Sequence, residues 1–320
     1  MFDFVRAVRH PYINSDFTLR GSLRVRIMER PGLWLDQAGL DEIVAHTREV
    51  VLGLGKGTLD YGVVSGSKAA LDRSIITLIT DRETGRAMGF NALVAMDCVL
   101  DRKPVEVVHL GLAVVHPDFH SRGLGWVLYG LTTFILFFKR RLSPIWISNV
   151  TQVPSVFGMV SDSFDDIYPG GEGGPPRTFE HLRLVRQIMR DYRFVFGVAE
   201  EAGFDEEHFV ITDAYTGGSD NLKKTWEEAP KHRKPRYNDY CKAHLDYARG
   251  DDFIQIGRIT LYTFWYYIYR TLPRGALFEV SSKLVYVMLA SLVIPPARWL
   301  AANTQMGELR PWRSLPSDHD

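Results

Sequence analysis

Between Gln37 and Leu52 the apolar positions Leu40, Ile43, Val44, Val50 and Val51, with Thr47 among them, fall on one side of a 3.6-residue period. This spacing predicts a helix with one buried face. On either side of it the pattern changes. Phe17 to Ile27 has strand character and is broken by Pro31-Gly32. The runs Ile75–Thr80 and Ala87–Met96 flank the polar stretch Asp81-Arg82-Glu83-Thr84-Gly85-Arg86, which predicts a β-hairpin with a polar tip. A further strand, Val105–Val115, follows Asp101-Arg102-Lys103-Pro104. Next come a glycine-containing turn, a strongly apolar helix from about Gly125 to Lys139, and a strand from Ile145 to Asn149 started by Ser143-Pro144. The order is β, α, β, β, β, α, β, completed by a helix over Val153–Val160 and a strand near Ile167.

The densest Gly/Pro cluster, Pro169-Gly170-Gly171-Glu172-Gly173-Gly174-Pro175-Pro176, is the expected seam between a first domain, 1–170, and a second, 171–320. Beyond it, Leu182, Val185, Ile188, Met189 and Tyr192 recur at helical spacing, so the second part is expected to be a mainly helical extension. Of the 320 residues, 46% are hydrophobic and 24% charged, which argues against wholesale disorder and against a polytopic membrane protein. Equal counts of 38 basic and 38 acidic residues give no net charge, so bulk electrostatics imply no nucleic-acid partner. Cys98 and Cys241 lack any metal-ligand or redox spacing, which fits a reducing compartment and no metal. The first nine residues have no continuous apolar core or cleavage site of a secretory signal. A cytoplasmic location is expected.

The chemistry concentrates in the turn His120-Ser121-Arg122-Gly123-Leu124-Gly125, set between a strand and a helix. The first N–H groups of a helix are unsatisfied and sit at the positive end of its dipole, where phosphate binds. Gly123 and Gly125 lack Cβ atoms, so a pyrophosphate can approach the N–H groups of Arg122 through Trp126, and the Arg122 guanidinium adds a charged donor. The segment Leu110 to Leu128 resembles motif A of the GNAT superfamily of acyl-CoA N-acyltransferases: a strand ending in Val-x-Pro, then a Gln/Arg-x-x-Gly-x-Gly/Ala turn opening a helix. His120 stands where that family usually has Gln or Arg. The resemblance covers about Phe17 to Tyr168. It implies an α+β fold with a mixed central sheet flanked by helices, and acyl-CoA as co-substrate. It further implies that the turn, His120, Arg122, Gly123, Leu124, Gly125 and Trp126, holds the pyrophosphate, that the backbone of Ala113, Val114 and Val115 pairs with the pantetheine arm, and that Asn149 bridges to the cofactor, a strand-end cap being the alternative reading of Asn149.

Direct transfer from CoA to an amine needs a base for the ammonium proton. His109 lies on the strand before the turn, where some family members carry a catalytic Glu; a half-buried structural histidine is the alternative reading. The family often places a Tyr in Asn-x-x-Ala-x-x-x-x-Tyr to protonate the leaving thiolate. Here the matching stretch, Asn149 to Phe157, has no tyrosine: either another group serves as acid, with Tyr129 and Tyr168 as candidates, or the thiolate leaves unassisted.

From Phe253 to Leu300 the chain carries Arg258, Arg270, Arg274, Lys283 and Arg298 against Glu279. Tyr262, Phe264, Trp265, Tyr266, Tyr267 and Tyr269 crowd together, and Leu284–Ile294 is largely apolar, yet neither run reaches the ~20 apolar residues of a spanning helix. Aromatic rings with basic flanks suit the headgroup boundary of a bilayer, and Lys231, His232, Arg233, Lys234 and Arg236 would add attraction to anionic lipid. The alternative is a soluble helical subdomain packed on the core. Together these features lead to the expectation of a peripheral acyltransferase on the inner face of a membrane, acylating an amine-bearing lipid or lipid precursor, by analogy with bacterial ceramide synthases and N-acyl amino acid synthases. The rival readings are an acetyltransferase for a small soluble amine or protein, and a non-enzymatic acyl-CoA-binding module at the membrane.

Overall fold

The computed structural model describes residues 11–19, 22–55, 59, 62–122, 124–217, 219, 222–270 and 285. Residues 14–271 form one compact unit; residues 1–13 and 272–320 form another, of which only 11–13 and 285 are described. The first unit is an α+β fold around a mixed sheet of ten described strands in the order β1-β2-β3-β4-β5-β6-β10-β9-β8, with β7 also paired to β10. The strands are β1 Asn14–Thr18, β2 Leu23–Glu29, β3 Ser74–Asp81, β4 Ala87–Leu100, β5 Lys103–Val115, β6 Ile145–Thr151, β7 Asp165–Tyr168, β8 Gly203–Asp205, β9 Val210–Thr212 and β10 Asp252–Ile259. The helices are α1 Gln37–Leu52, a π-helical stretch Trp126–Leu131 running into α2 Thr132–Lys139, α3 Pro154–Ser163, α4 Phe179–Asp191, α5 Pro235–His244 and α6 Leu261–Arg270, besides shorter turns.

Local sequence accounts for most of these boundaries. Asp36 caps α1 by accepting from the Gly39 N–H at 3.0 Å, and the six positions expected on its inner face are the six that are buried. Pro154 opens α3, where its missing N–H costs nothing. Thr178 and His181 form a reciprocal capping box at the start of α4. The single strand expected from Phe17 to Ile27 is instead an antiparallel pair, β1 and β2, because the chain reverses between Leu19 and Ser22, with Leu19 N–H bonded to Leu23 O.

Two helices cover one face of the sheet. α1 packs Leu40, Ile43 and Val44 on Ile76, Leu78 and Phe90, while α4 packs Leu184, Val185 and Ile188 on Met96, Val107 and Ile256. Because Phe90 and Met96 have the same parity along β4, both helices lie on one side. The π/α2 helix lies on the other, where the buried Asn91 amide donates to Leu128 O at 2.6 Å.

The Gly/Pro cluster expected to divide the chain does not separate two contact units. Residues 169–251 instead loop out between β7 and β10, which pair antiparallel, and β10 then joins β6 inside the sheet. The part expected to be mainly helical therefore supplies β8, β9 and β10 as well as α4, α5 and α6. Its stretch Phe253–Ile259 is a buried strand, so the aromatic segment expected at a membrane surface begins only with α6; the apolar run Leu284–Ile294, apart from Val285, lies outside the described residues. Among the described residues no helix is long and apolar enough to cross a membrane. The basic cluster is largely engaged within the fold. Lys234 pairs with Asp162 at 2.7 Å, Arg236 donates to Tyr237 Oη at 2.7 Å, and the Lys231 ammonium sits 4.0 Å over the Trp226 ring.

Candidate active site at a split in the sheet

Strands β5 and β6 form the parallel pair of the sheet, and their pairing is short: Val107 with Trp146, Val108 with Ile147, and His109 with Ser148. Past that rung β5 runs on to Val115 with β4 beside it, and among the described residues no strand pairs its other edge. A β-bulge marks the parting: His109 faces Val94 and Leu112 faces Ala92, so Leu110 and Gly111 together oppose one residue, Leu93. Gly111 is needed there, because a Cβ would lie 2.3 Å from Ala92 O. By adding one residue the bulge switches parity, so Val107 and His109 before it share a face with Leu112 and Val114 after it, while Leu110 turns to the opposite, α2 face. Among the described residues no strand takes up the backbone N–H and C=O groups on the outer edge of Leu110–Val114, as an extended ligand would require.

His109 stands at the split itself. Its Nδ1 lies 3.0 Å from Ser148 Oγ and its ring 5.3 Å from that of Phe196, on the α4 side. Burial holds the imidazole down at a pKa of about 4, so it is neutral at physiological pH. Asn149 follows on β6 with its side chain on the opposite face. It is buried, and its amide donates to Gln255 Oε1 at 3.0 Å; Gln255 in turn donates to Ser161 Oγ and Pro169 O. This amide network ties β6 to β10, and Gln255 has no local signal in the sequence beyond the alternation of Phe253 to Ile259.

Beyond β5 the chain turns through Pro117–Arg122, and the His120 ring nitrogen Nε2 lies 2.9 Å from Val115 O, closing the end of the strand. Gly123 and the side chains of Arg122 and Trp126 lie outside the described part of the structure. Leu124 is buried beneath the helix start, and Gly125 is exposed. With φ −58° Gly125 has an ordinary helical conformation, and among the described residues a Cβ built on it meets nothing within 4 Å. The π-helical stretch next to it is a feature frequent at functional sites.

Gly125 lies at one end of a cleft of about 380 Å³, within the size range of small-molecule sites. Gly125, Tyr129, Thr133, Phe134 and Phe137 form its helix wall, with Met159 and Ser163 of α3 and Phe164 just after it facing them. Leu110 lies at its floor beside the split, and Ile259, Thr263 and Tyr266 close the far end. Of the two candidate acids only Tyr129 borders the cleft, where burial pushes its phenol up to about 12 and so keeps it protonated. Tyr168 is committed elsewhere: its hydroxyl donates to Glu207 O at 2.6 Å and its ring packs against Phe209. No group of three or more metal-ligating side chains is assembled among the described residues.

No protein-family profile and no curated protein matches the chain. Solved structures similar to parts of it include an acetyltransferase from Trypanosoma brucei, 21% identical over 37% of this chain and 76% of that one, with a TM-score of 0.26. Another is the ribosomal-protein-S5-alanine acetyltransferase from Vibrio fischeri, 11% identical over 42% of this chain and 74% of that one, TM-score 0.29. A third, described as of the GNAT family, from Desulfovibrio desulfuricans, is 12% identical over 75% of this chain and 99% of that one, TM-score 0.30.

Proposed function

We propose that this chain is an acyl-CoA-dependent acyltransferase of the GNAT type, moving an acyl group from the thioester to an amine. The observation that carries the reading is the parting of β5 from β6 at His109 and Ser148, next to a helix start at Gly125 that opens on an apolar cleft. An extended, amide-bearing arm such as pantetheine would pair with the outer edge of Leu110–Val114, its phosphates lying at the first N–H groups of the helix and its thioester at the split.

In such a transfer the amine nitrogen bonds to the thioester carbonyl carbon, the C–S bond breaks, the nitrogen loses a proton and the thiolate gains one. Tyr129 borders the cleft with its proton in place and is the proposed donor to sulfur. His109, enclosed and neutral on the sheet face opposite the cleft, is proposed to take up the amine proton through Ser148 Oγ, the hydroxyl accepting that proton as it passes its own to the imidazole. We propose an amine-bearing lipid or lipid precursor as the acceptor, at the cytoplasmic surface of a membrane. The apolar cleft walls and the outward Leu261, Tyr262 and Trp265 of the adjacent α6 support that choice. Incubating the chain with thioesters from acetyl to palmitoyl and amine acceptors, and following free CoA and the amide by mass spectrometry, tests the reading. Amide formation is the expected result; acyl-CoA binding with no turnover on any amine would overturn it.

A further inference from the structure

We infer that the cleft between the π/α2 helix and α3 holds an extended acyl chain, so that the donor carries a long aliphatic acyl group and α6 sets its length. The inference rests on the acyl-CoA reading above and deepens it. The helix wall runs from Gly125 to Phe137, about 18 Å at the rise of a regular helix. At the ~30 Å³ that a water occupies in the liquid, 380 Å³ admits on the order of a dozen methylene-sized groups. An acetyl group would leave most of that space empty.

Chemistry along the cleft changes in the direction such a donor requires. At Gly125 it begins beside a helix start, where a phosphate is favoured, and past Leu110 its walls become mostly hydrocarbon, Phe134, Phe137, Met159, Phe164 and Ile259, with Thr133 and Ser163 among them. No charged side chain lines it among the described residues. The hydroxyl of Thr263, at the far end, is already engaged with the backbone of Thr260 and Arg258. Thr263 and Tyr266 belong to α6, which comes directly after β10, so a helix remote in sequence from the phosphate-binding turn forms the distal wall.

Isothermal titration of the full chain with CoA and with acetyl-, octanoyl- and dodecanoyl-CoA tests this. Each methylene moved from water into an apolar cleft tightens binding by about fourfold at full burial, so octanoyl-CoA should bind on the order of 100-fold or more tightly than acetyl-CoA. Thr133→Phe and Met159→Phe fill the cleft from facing walls. Each should bring dodecanoyl-CoA at least tenfold back toward the acetyl value with CoA affinity unchanged, and Tyr266→Ala should extend the preferred length. The two walls are tested independently, so one variant that fails to fold leaves the other, as well as the unmodified chain's length dependence, to decide. Equal affinity for acetyl and dodecanoyl thioesters, with CoA still bound, overturns the acyl-chain inference alone. Failure to bind CoA in any form overturns the reading beneath it.

Discussion

His109 Nδ1 and Ser148 Oγ meet at 3.0 Å on the last rung before two parallel strands separate, with the imidazole fully enclosed. Burial lowers the His109 pKa from 6.5 to about 4. As pH falls, the unfolded chain takes up this proton first, so the site stabilises the fold above about pH 6.5 and loses that contribution between about 6.5 and 4, on the order of 3 kcal/mol. Denaturant titrations across that window should show a shallower pH slope for His109→Gln than for the native chain. As the proposed proton acceptor, His109→Ala should lower kcat by about a hundredfold at unchanged CoA affinity. Near-normal turnover from pH 6 to 9 would assign the residue to packing alone.

Gly125 separates binding from folding. With φ −58° and no described atom within 4 Å of a Cβ built there, a side chain at Gly125 brings no left-handed backbone strain, so Gly125→Val is expected to fold. The branched side chain would project into the end of the cleft where phosphate is proposed. CoA affinity should drop at least tenfold while the melting temperature stays within a few degrees; unaltered affinity would remove phosphate from this place.

Asp252 provides an opposite pH dependence. It is fully buried at the start of β10, accepts from Tyr215 Oη at 3.1 Å, and burial raises its carboxyl from 3.8 to about 7. The folded chain holds this proton more tightly, so the contribution is complete below about pH 3.8 and is lost as pH rises through about 7, on the order of 4 kcal/mol. Asp252→Asn keeps an acceptor for Tyr215 without the charge. The variant should be more stable than the native chain at pH 8, and no difference between them at pH 8 would count against this account.

Truncation distinguishes the compact unit from the residues C-terminal to it. A chain ending before Asp252 loses β10, whose Phe253, Ile254 and Ile256 are buried between β6 and β9, and should show no cooperative melting. One ending at Thr271 retains the whole compact unit and should melt cooperatively. Co-sedimentation of that shorter chain and the full chain with liposomes then locates any membrane affinity. Binding by the full chain alone would place it beyond Thr271, and by neither would sink the membrane-surface proposal. Lys234→Ala should lower the melting temperature, because it breaks the pair with Asp162 that joins α5 to α3.

Patterns of short range were legible without the structure. The 3.6-residue spacing of Leu40, Ile43, Val44, Thr47, Val50 and Val51 located α1, and the polar tip from Asp81 to Arg86 located the hairpin of β3 and β4, because each is dictated by neighbours a few residues away. The turn leading to Gly125, and with it the candidate site, was equally local. The reach of the fold was not. A Gly/Pro cluster looks the same whether it divides two domains or begins an excursion within one, and only pairing of Ile256 with Ser148 and Tyr168 shows the chain returning to its own sheet.

The sequence by itself therefore determined most of the elements between Gln37 and Tyr168, the strand-turn-helix of the candidate site and the residue types along it, since periodicity and turn chemistry act over a few positions. Tertiary structure alone decided that β10 completes the sheet. It also decided that Asn149 spends its amide on Gln255, that His109 is sealed against Phe196, and that Thr263 and Tyr266 close a cleft begun at Gly125. These are contacts between residues far apart in the chain. Burial, which sets both their packing and their pKa values, belongs to the assembled sheet and has no signature in any one segment.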